Sequence, residues 1–239
     1  MRSLLIDPSI RESFPDLRIG VMVASGINNH PDPAPLIREK TASEQRVRST
    51  LSWEELQTHP HIAAWRETYR KFGVNPKNHR PTAEAVLRRV LKGDSIPYIN
   101  AVVASYLVAE LDQILPVGGY DMANVQGDIR LKFSSGGEQF RAIGADEAEL
   151  TAPGEVVYSD DLGVLTRRWN YRDSDRAKIT ESSRSIALFC EAPVDSVKTG
   201  AIEDCLTRIM HLVQLNCGGL AQSALIEPPE RRFELPLVG

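Results

Sequence analysis

The sequence predicts an α+β protein in which a mixed β core is flanked by helices and preceded by an N-terminal helical extension. Three observations indicate this class: helical periodicity in the first half of the chain, a cluster of short β-type runs after residue 116, and a long amphipathic segment near residue 200. Helices come first and a cluster of strands with a final helix follows, and this order of elements indicates α+β.

The N-terminal third is predicted to be helical. Ser52 and Glu55 have the spacing of a capping box, which opens a short helix that Pro60 must end. Apolar residues at helical intervals predict a second helix that ends at Gly73 and a third that follows Pro81.

The second half begins with a buried helix and continues with strands. Residues 99–115 are apolar nearly all round, which indicates a helix buried on most faces, and Pro116 ends it before a turn at VGGYD. A final helix is predicted from about Lys198 to Cys217, followed by an extended tail. The predicted strands between them are DIRLKFSS, EQFRAIG, EVVYSD, GVLTRRWNY and SIALFCEA.

Composition limits the classes of protein that fit the chain. Its 239 residues are 42% hydrophobic and 25% charged, with a net charge of −4, as in a soluble globular protein with a sizeable core. No apolar run approaches the roughly 20 residues of a membrane helix, and the start lacks the features of a signal peptide. We therefore expect a cytoplasmic protein with no membrane partner. The three cysteines, Cys190, Cys205 and Cys217, form no CxxC pair, which favours a reducing compartment.

The usual signals of cofactor and metal sites are absent from the sequence. GxGxxG, GxxxxGK[ST], GxSxG and HExxH do not occur. The five histidines are scattered, and their closest pair, His59 and His61, has no Cys or carboxylate nearby at metal-ligand spacing. We expect no metal and no cofactor, so any catalysis must depend on positioning and electrostatics.

The charge distribution is uneven. The acidic balance argues against sequence-blind binding of nucleic acid, DNA included, because such binding needs an excess of Lys and Arg. The segment from Arg66 to Lys92 is nevertheless strongly basic. The alternative for this segment is an ordinary solvated helical surface.

The most unusual cluster is RRWNYRD at residues 167–173. As a strand it would place Arg168, Asn170 and Arg172 on one face, and Arg167, Trp169 and Tyr171 on the other. Guanidinium groups suit phosphate or carboxylate, and an indole can stack on a nucleic-acid base. The alternative is that Arg168 and Arg172 form a structural network of salt bridges with the nearby aspartates Asp160, Asp161, Asp173 and Asp175.

Several blocks in one order carry a resemblance to a known family. The blocks FGVNP, RPTAEAVLRRVL, INAVVASYLVAELDQILPVGGYD, GEVVYSDDLGVLTRRWNYRD, KIT and ALFCEA resemble the stand-alone B3/B4 domain proteins. These are free relatives of the editing module in the phenylalanyl-tRNA synthetase β subunit. The resemblance covers about residues 72–216. It implies a B3/B4-like sheet or barrel whose cleft, in the synthetase, removes tyrosine from a mischarged tRNA end.

The resemblance also implies a set of substrate-binding residues, while the catalytic residues stay unknown. They are Asn100, Tyr106, Gly118, Gly119, Arg167, Arg168, Trp169, Asn170, Arg172 and Glu191. The chain departs from the synthetase module at three places. A histidine aligns with Gly118, a Thr-Asn pair aligns with Tyr106 and Leu107, and RRWNYRD replaces a Gly-Gly loop. The tyrosine specificity therefore does not transfer.

The individual site residues have structural alternatives. Gly118 and Gly119 could bring backbone amides close to a charged oxygen or form a plain turn. Glu191 could read a substrate hydroxyl or amino group, or cap a backbone amide. Tyr106 could simply pack in the core, and Asn100 could cap the helix that follows it.

We therefore predict a trans-acting aminoacyl-tRNA deacylase, with a tRNA acceptor end and an amino-acid moiety as partners. It would use neither a metal nor a covalent nucleophile, and it is not a complete tRNA ligase. The alternative is a non-catalytic protein that binds tRNA or an amino-acid derivative. We expect a mainly helical extension at residues 1–72, a B3/B4-like domain at 73–226 and an extended tail at 227–239.

Overall fold

The computed structural model describes residues 2–235, which form a layer of helices, a four-stranded sheet and a six-stranded sheet. The α-helices are α1 Pro8–Ser13, α2 Ala34–Thr50, α3 Trp53–Thr58, α4 Pro60–Lys71, α5 Thr82–Leu91, α6 Ala101–Gln113 and α7 Thr199–Cys217. The strands are β1 Arg2–Ile6, β2 Arg18–Ser25, β3 Val117–Asp121, β4 Ile129–Phe133, β5 Gln139–Phe140, β6 Glu149–Leu150, β7 Val156–Asp160, β8 Gly163–Arg167, β9 Arg172–Asp173, β10 Ser185–Ala192, β11 Leu220–Ile226 and β12 Arg232–Leu235. The predicted α+β class is confirmed.

The four-stranded sheet separates two hydrophobic cores. Its order is β11-β2-β10-β3, and every pair is antiparallel. Side chains alternate across it, so Met22 packs with the helices while Val21 and Val23 pack toward the other sheet. Helix α7 lies so close to β2 that a Cβ on Gly20 would come within 2.6 Å of Ile202.

The six-stranded sheet, in the order β12-β1-β4-β7-β8-β9, contributes the opposite wall of the second core. Its β1–β4 pair is parallel and its other pairs are antiparallel. Helix α4 adds Trp65 and Tyr69 to this core, where Trp65 packs against Trp169 and Tyr69 against Phe72. Trp169 of this aromatic cluster also lines the cavity of the candidate site.

The predicted helix limits and caps are largely confirmed. Ser52 and Glu55 form both bonds of the capping box on α3, and α4 ends before Gly73. Helix α5 follows Pro81, and α7 spans the predicted segment with Lys198 at its N-cap. Within residues 2–235, no helix has the length and apolar character that crossing a membrane requires.

The prediction of a helical N-terminal third is wrong for residues 2–6 and 18–25, which are strands. Strand β2 is buried on both faces, so its side chains lack the apolar–polar alternation that marks a half-exposed strand. VGGYD is strand β3 paired with β10, and not a turn. The predicted tail contains β12, and residues 236–239 lie outside the described residues. The boundaries at residues 72 and 226 stay predictions.

Candidate functional site

The segment RRWNYRD forms a tight turn between two strands. Strand β8 ends at Arg167, and β9 returns antiparallel with Arg172 opposite it. Arg168 and Trp169 have φ angles of 48° and 67°, in the left-handed region that L-residues rarely adopt. The prediction of a strand with two faces is therefore wrong here, and each side chain takes its own direction.

Arg167 belongs to a buried ion pair. Its guanidinium donates to both carboxylate oxygens of Glu155, at 2.7 and 2.9 Å, and to Glu149 at 2.7 Å. The Arg167 and Glu155 side chains are almost fully buried. Arg167 therefore has a structural role, with glutamates as its partners. The aspartates were the expected alternative partners of Arg168 and Arg172, and two of them pair elsewhere, Asp160 with Arg176 and Asp175 with Lys178.

Trp169 is fully buried, so its ring cannot stack on a nucleic-acid base as the sequence suggested. The ring packs edge-on against Phe14 and Trp65, at centroid distances of 4.8 and 5.3 Å. Its Nε1–H donates to Glu191 Oε1 at 2.7 Å. Trp169 therefore holds the carboxyl group of Glu191 in place.

A cavity of about 110 Å³ lies between α6, β3, the β8–β9 turn and the end of β10. We call it the pocket. The predicted site residues that line it are Tyr106, Gly118, Trp169, Asn170, Arg172 and Glu191. Those that do not line it are Asn100, Gly119, Arg167 and Arg168. The structure thus brings together part of the predicted site.

Glu191 stands near the end of β10 with its carboxyl group in the pocket wall. The Tyr158 hydroxyl and the Trp169 indole both donate to Oε1. Burial raises the pKa of Glu191 to about 7, although these two hydrogen bonds favour the ionised form. At neutral pH Glu191 is therefore ionised in only part of the molecules.

Asp173 is a pocket residue that the sequence analysis considered only as an ion-pair partner. Thr166 Oγ1 donates to its Oδ1 at 2.7 Å. Its Oδ2 lies 3.9 Å from the position of a Cβ on Gly118, which also lines the pocket. Burial raises the pKa of Asp173 to about 6. The one feature of the sequence that could have identified Asp173 as a pocket residue is its position directly after Arg172 in RRWNYRD.

The polar groups of the pocket are incompletely partnered. Within residues 2–235, neither Asp173 nor Glu191 forms an ion pair. Asn170 accepts a hydrogen bond from Tyr69 at 2.8 Å. Its buried Nδ2 forms no hydrogen bond of ordinary geometry in the described part of the chain, although it lies near enough to Glu191 to favour the ionised form of that carboxyl group. Buried polar groups without partners are rare, so this arrangement suits a ligand with its own donors and acceptors.

The two glycines of β3 have different roles. A Cβ on Gly119 would lie 2.2 Å from the Ala187 carbonyl oxygen, so this residue must be glycine for β3 to approach β10. Gly118 faces the pocket, and a Cβ there would meet no atom closer than Asp173 Oδ2. Both residues pair with β10, so neither the expected oxyanion-binding turn nor the plain turn forms.

Asn100 and Tyr106 lie on the first turns of α6. Asn100 caps the helix by accepting from Val103 N at 3.0 Å and is bonded to Ile179 O at 2.9 Å, outside the pocket. The helix-cap alternative thus describes it. Tyr106 both packs against the helical core and lines the pocket, and burial raises the pKa of its hydroxyl far above the usual range.

Arg168 and Arg172 lie on either side of Tyr171. Each guanidinium carbon is 5.4 Å from the centre of the tyrosine ring, within the range of cation–π attraction. Arg168 is half-buried, 3.8 Å from Glu155, and lines a neighbouring cavity with His79. Arg172 is exposed at the mouth of the pocket and is the cation best placed to meet a ligand there.

The described residues contain no group of three His, Cys, Asp or Glu side chains placed to hold a metal ion. The carboxyl groups of the pocket, the Asn170 amide and Arg172 are instead suited to bind a small ligand with both a cationic and an oxygen-rich end.

The B3/4 domain family matches residues 64–217, which is more than half of the chain. The chain belongs to the B3/4 domain family. This B3/4 protein also matches sixteen chains of solved structures. One is an N-terminal fragment of the phenylalanyl-tRNA synthetase β subunit from Pyrococcus horikoshii, at 12% identity and a TM-score of 0.49. That match covers 95% of this chain and 54% of the fragment. Among curated proteins, none matches.

Proposed function

We propose that this B3/4 protein is a trans-acting deacylase that hydrolyses the ester bond of a mischarged aminoacyl-tRNA. One observation carries the proposal. The pocket holds two carboxyl groups without a cationic partner, an amide donor beside one of them that forms no hydrogen bond of ordinary geometry, and an arginine at its mouth. These are the groups that would recognise an aminoacyl ester.

The carboxyl groups would bind the α-ammonium group of the amino acid. Asp173, with a pKa of about 6, is mostly ionised at neutral pH, and Glu191, with a pKa of about 7, is partly ionised. Burying a carboxylate without a partner is unfavourable, and an ammonium group placed between the two would offset that cost. The Asn170 Nδ2 would donate to a side-chain or ester oxygen.

Asp173 would also act as the general base. In this step the oxygen of a water molecule attacks the ester carbonyl carbon while Asp173 accepts a proton from that water. The bond between the carbonyl carbon and the ribose oxygen then breaks, and the ribose oxygen takes up the proton that Asp173 accepted, which returns Asp173 to its ionised form. The products are the free amino acid and a tRNA with a free terminal hydroxyl. Arg172 would stabilise the negative charge that develops on the carbonyl oxygen.

The size of the pocket favours a small amino-acid side chain. Its volume of about 110 Å³ is below the roughly 150 Å³ of an engineered cavity that binds benzene. The Tyr106 ring occupies one side of the pocket. We therefore expect alanyl or seryl esters to be better substrates than tyrosyl esters.

A panel of mischarged tRNAs tests this proposal. The purified protein should release amino acid from at least one of them, faster for small side chains than for tyrosine. An Asp173→Asn variant should lose this activity, whereas Glu149→Gln, which changes an exposed carboxylate outside the pocket, should keep it. The absence of release across the whole panel would falsify the deacylase proposal.

A non-catalytic binding protein is the second candidate. Two residues expected to hold the acceptor end, Arg168 and Trp169, are instead held within the protein. The pocket could then bind the ammonium group of an amino-acid derivative without turnover. Tight binding of charged tRNA whose ester bond stays intact would favour this candidate over the deacylase.

A further inference from the structure

A basic groove of about 460 Å³ adjoins the pocket. Thr82, Tyr171 and Arg172 line both, so these three residues form the boundary that the two spaces share. The charged residues that line the groove are Arg80, Arg88, Arg89, Lys92, Arg172 and Asp94. Five cations thus face one carboxylate in a chain whose net charge is −4.

The protein does not neutralise this charge itself. Glu84, buried beneath the groove, accepts both bonds of a bidentate pair from Arg66, at 2.7 and 2.8 Å. Arg80 and Arg88 lie 3.7 and 3.6 Å from the same carboxylate. One negative charge therefore faces three guanidinium groups, and a surplus of positive charge remains.

The groove is also held in shape. The Arg88 guanidinium lies 4.2 Å above the Trp53 ring, and Arg89 donates to Ser95 O at 2.7 Å. Burial lowers the pKa of Arg88, and the nearby Arg80 lowers it further, against the opposing effect of Glu84. Lys92 and Arg89 are exposed, and no ion pair in residues 2–235 involves either of them.

We infer that this groove binds consecutive backbone phosphates of an RNA whose aminoacyl end enters the pocket. The inference rests on the proposed function. The groove could attract several kinds of polyanion, and RNA is chosen because the pocket is proposed to bind an aminoacyl ester at the end of an RNA. A phosphodiester chain fits the groove because five cations line it, and one of them, Arg172, also lines the pocket. Free phosphate or a mononucleotide shares the chemistry but would meet only some of these cations.

The test measures binding of a labelled, uncharged acceptor-stem minihelix between 50 and 200 mM salt, for the wild type and an Arg89→Ala/Lys92→Ala double variant. Arg232→Ala is the control, since Arg232 is exposed on β12 in the other sheet. Each lost phosphate contact should reduce the slope of log K against log salt by about 0.7–0.9. We expect the double variant to bind at least tenfold more weakly with a slope lower by about 1.5, and the control to match the wild type. Equal affinity and slope for the double variant would overturn the inference.

Two further arms separate the possible failures. Hydrolysis of an aminoacyl-adenosine, which has no stem, should stay within twofold in the double variant. If wild-type protein hydrolyses neither this compound nor charged tRNA, the proposed function fails, while minihelix binding still decides the role of the groove. AMP or inorganic phosphate should displace the minihelix only at millimolar concentrations. Displacement at concentrations equal to that of the minihelix would overturn the inference in favour of a mononucleotide site.

Discussion

Arg167 and Arg172 lie opposite each other across one tight turn, yet their surroundings differ completely. On the Arg167 side, a buried guanidinium meets two carboxylates, and its donors are used within the protein. On the Arg172 side, two carboxyl groups and an amide face a cavity, and the arginine stays exposed. Charge that is neutralised within the protein stabilises the fold, whereas charge left without a partner around a cavity is available to a ligand.

The largest expected effect comes from removing the buried carboxylate that pairs with Arg167. Glu155→Gln should lower the free energy of unfolding by about 3–5 kcal/mol, because it leaves Arg167 buried with one exposed carboxylate as partner. Glu149→Gln should lower it by less than about 1 kcal/mol, since Glu149 is exposed. Urea denaturation measures both, and equal effects would contradict the structural role of the Glu155 pair.

The two glycines of β3 allow a second comparison of this kind, because Gly119 packs against β10 whereas Gly118 faces the pocket. Gly119→Ala should lower stability by about 3 kcal/mol, because its Cβ would overlap backbone atoms of β10. Gly118→Ala should change stability by less than about 0.5 kcal/mol, since its Cβ meets open space, and should instead raise KM for the ester by narrowing the pocket. A loss of stability in Gly118→Ala as large as that in Gly119→Ala would remove this distinction.

Substitution of Asp173 tests the catalytic role of the carboxyl groups that face the pocket. Asp173→Asn keeps the shape of the side chain but removes the base, so single-turnover hydrolysis should slow by about 100-fold or more. The stability of this variant at pH 7 should equal or exceed that of the wild type, because a buried charge is removed. Unchanged hydrolysis in a folded variant would show that Asp173 is not the base.

The dependence of stability on pH gives a smaller effect with a defined sign. The pKa of Glu191 is raised to about 7 in the folded protein, so between about pH 4.5 and pH 7 the folded state binds more protons than the unfolded state. The contribution of Glu191 to stability is therefore lost as pH rises through this window, by roughly 3 kcal/mol. Glu191→Gln should flatten the decline between pH 5 and pH 8 in urea denaturation. An identical slope in the variant would show that Glu191 does not titrate in this range.

Local signals in the sequence predicted much of the fold. The capping box at Ser52, the stop at Gly73 and the limits of α7 depend on neighbouring residues, so one chain suffices to find them. Strand β2 was missed because its partners are β10 and β11, more than 150 residues away along the chain. An apolar run buried on both faces shows no period that would identify it as a strand.

The candidate site was only partly predictable for a related reason. The alternation in RRWNYRD suggested a strand, but positive φ angles at two non-glycine residues reverse the chain there. Whether Trp169 is exposed depends on α1 and α4, which supply Phe14 and Trp65 from distant parts of the sequence. Arg167 pairs with Glu155, while the carboxyl group of Asp173 accepts a hydrogen bond from Thr166. The spacing of residues along the chain does not predict which of these carboxyl groups pairs with an arginine.

The central claim is that the pocket carboxyl groups receive the ammonium group of an aminoacyl ligand. Binding of a non-hydrolysable amide analogue, 3′-alanylamino-3′-deoxyadenosine, tests it most directly when compared with the same compound acetylated on its amino group. We predict that acetylation weakens binding at pH 7.5 by at least tenfold, about 1.4 kcal/mol, because it removes the positive charge. Equal dissociation constants for the two compounds would contradict the claim.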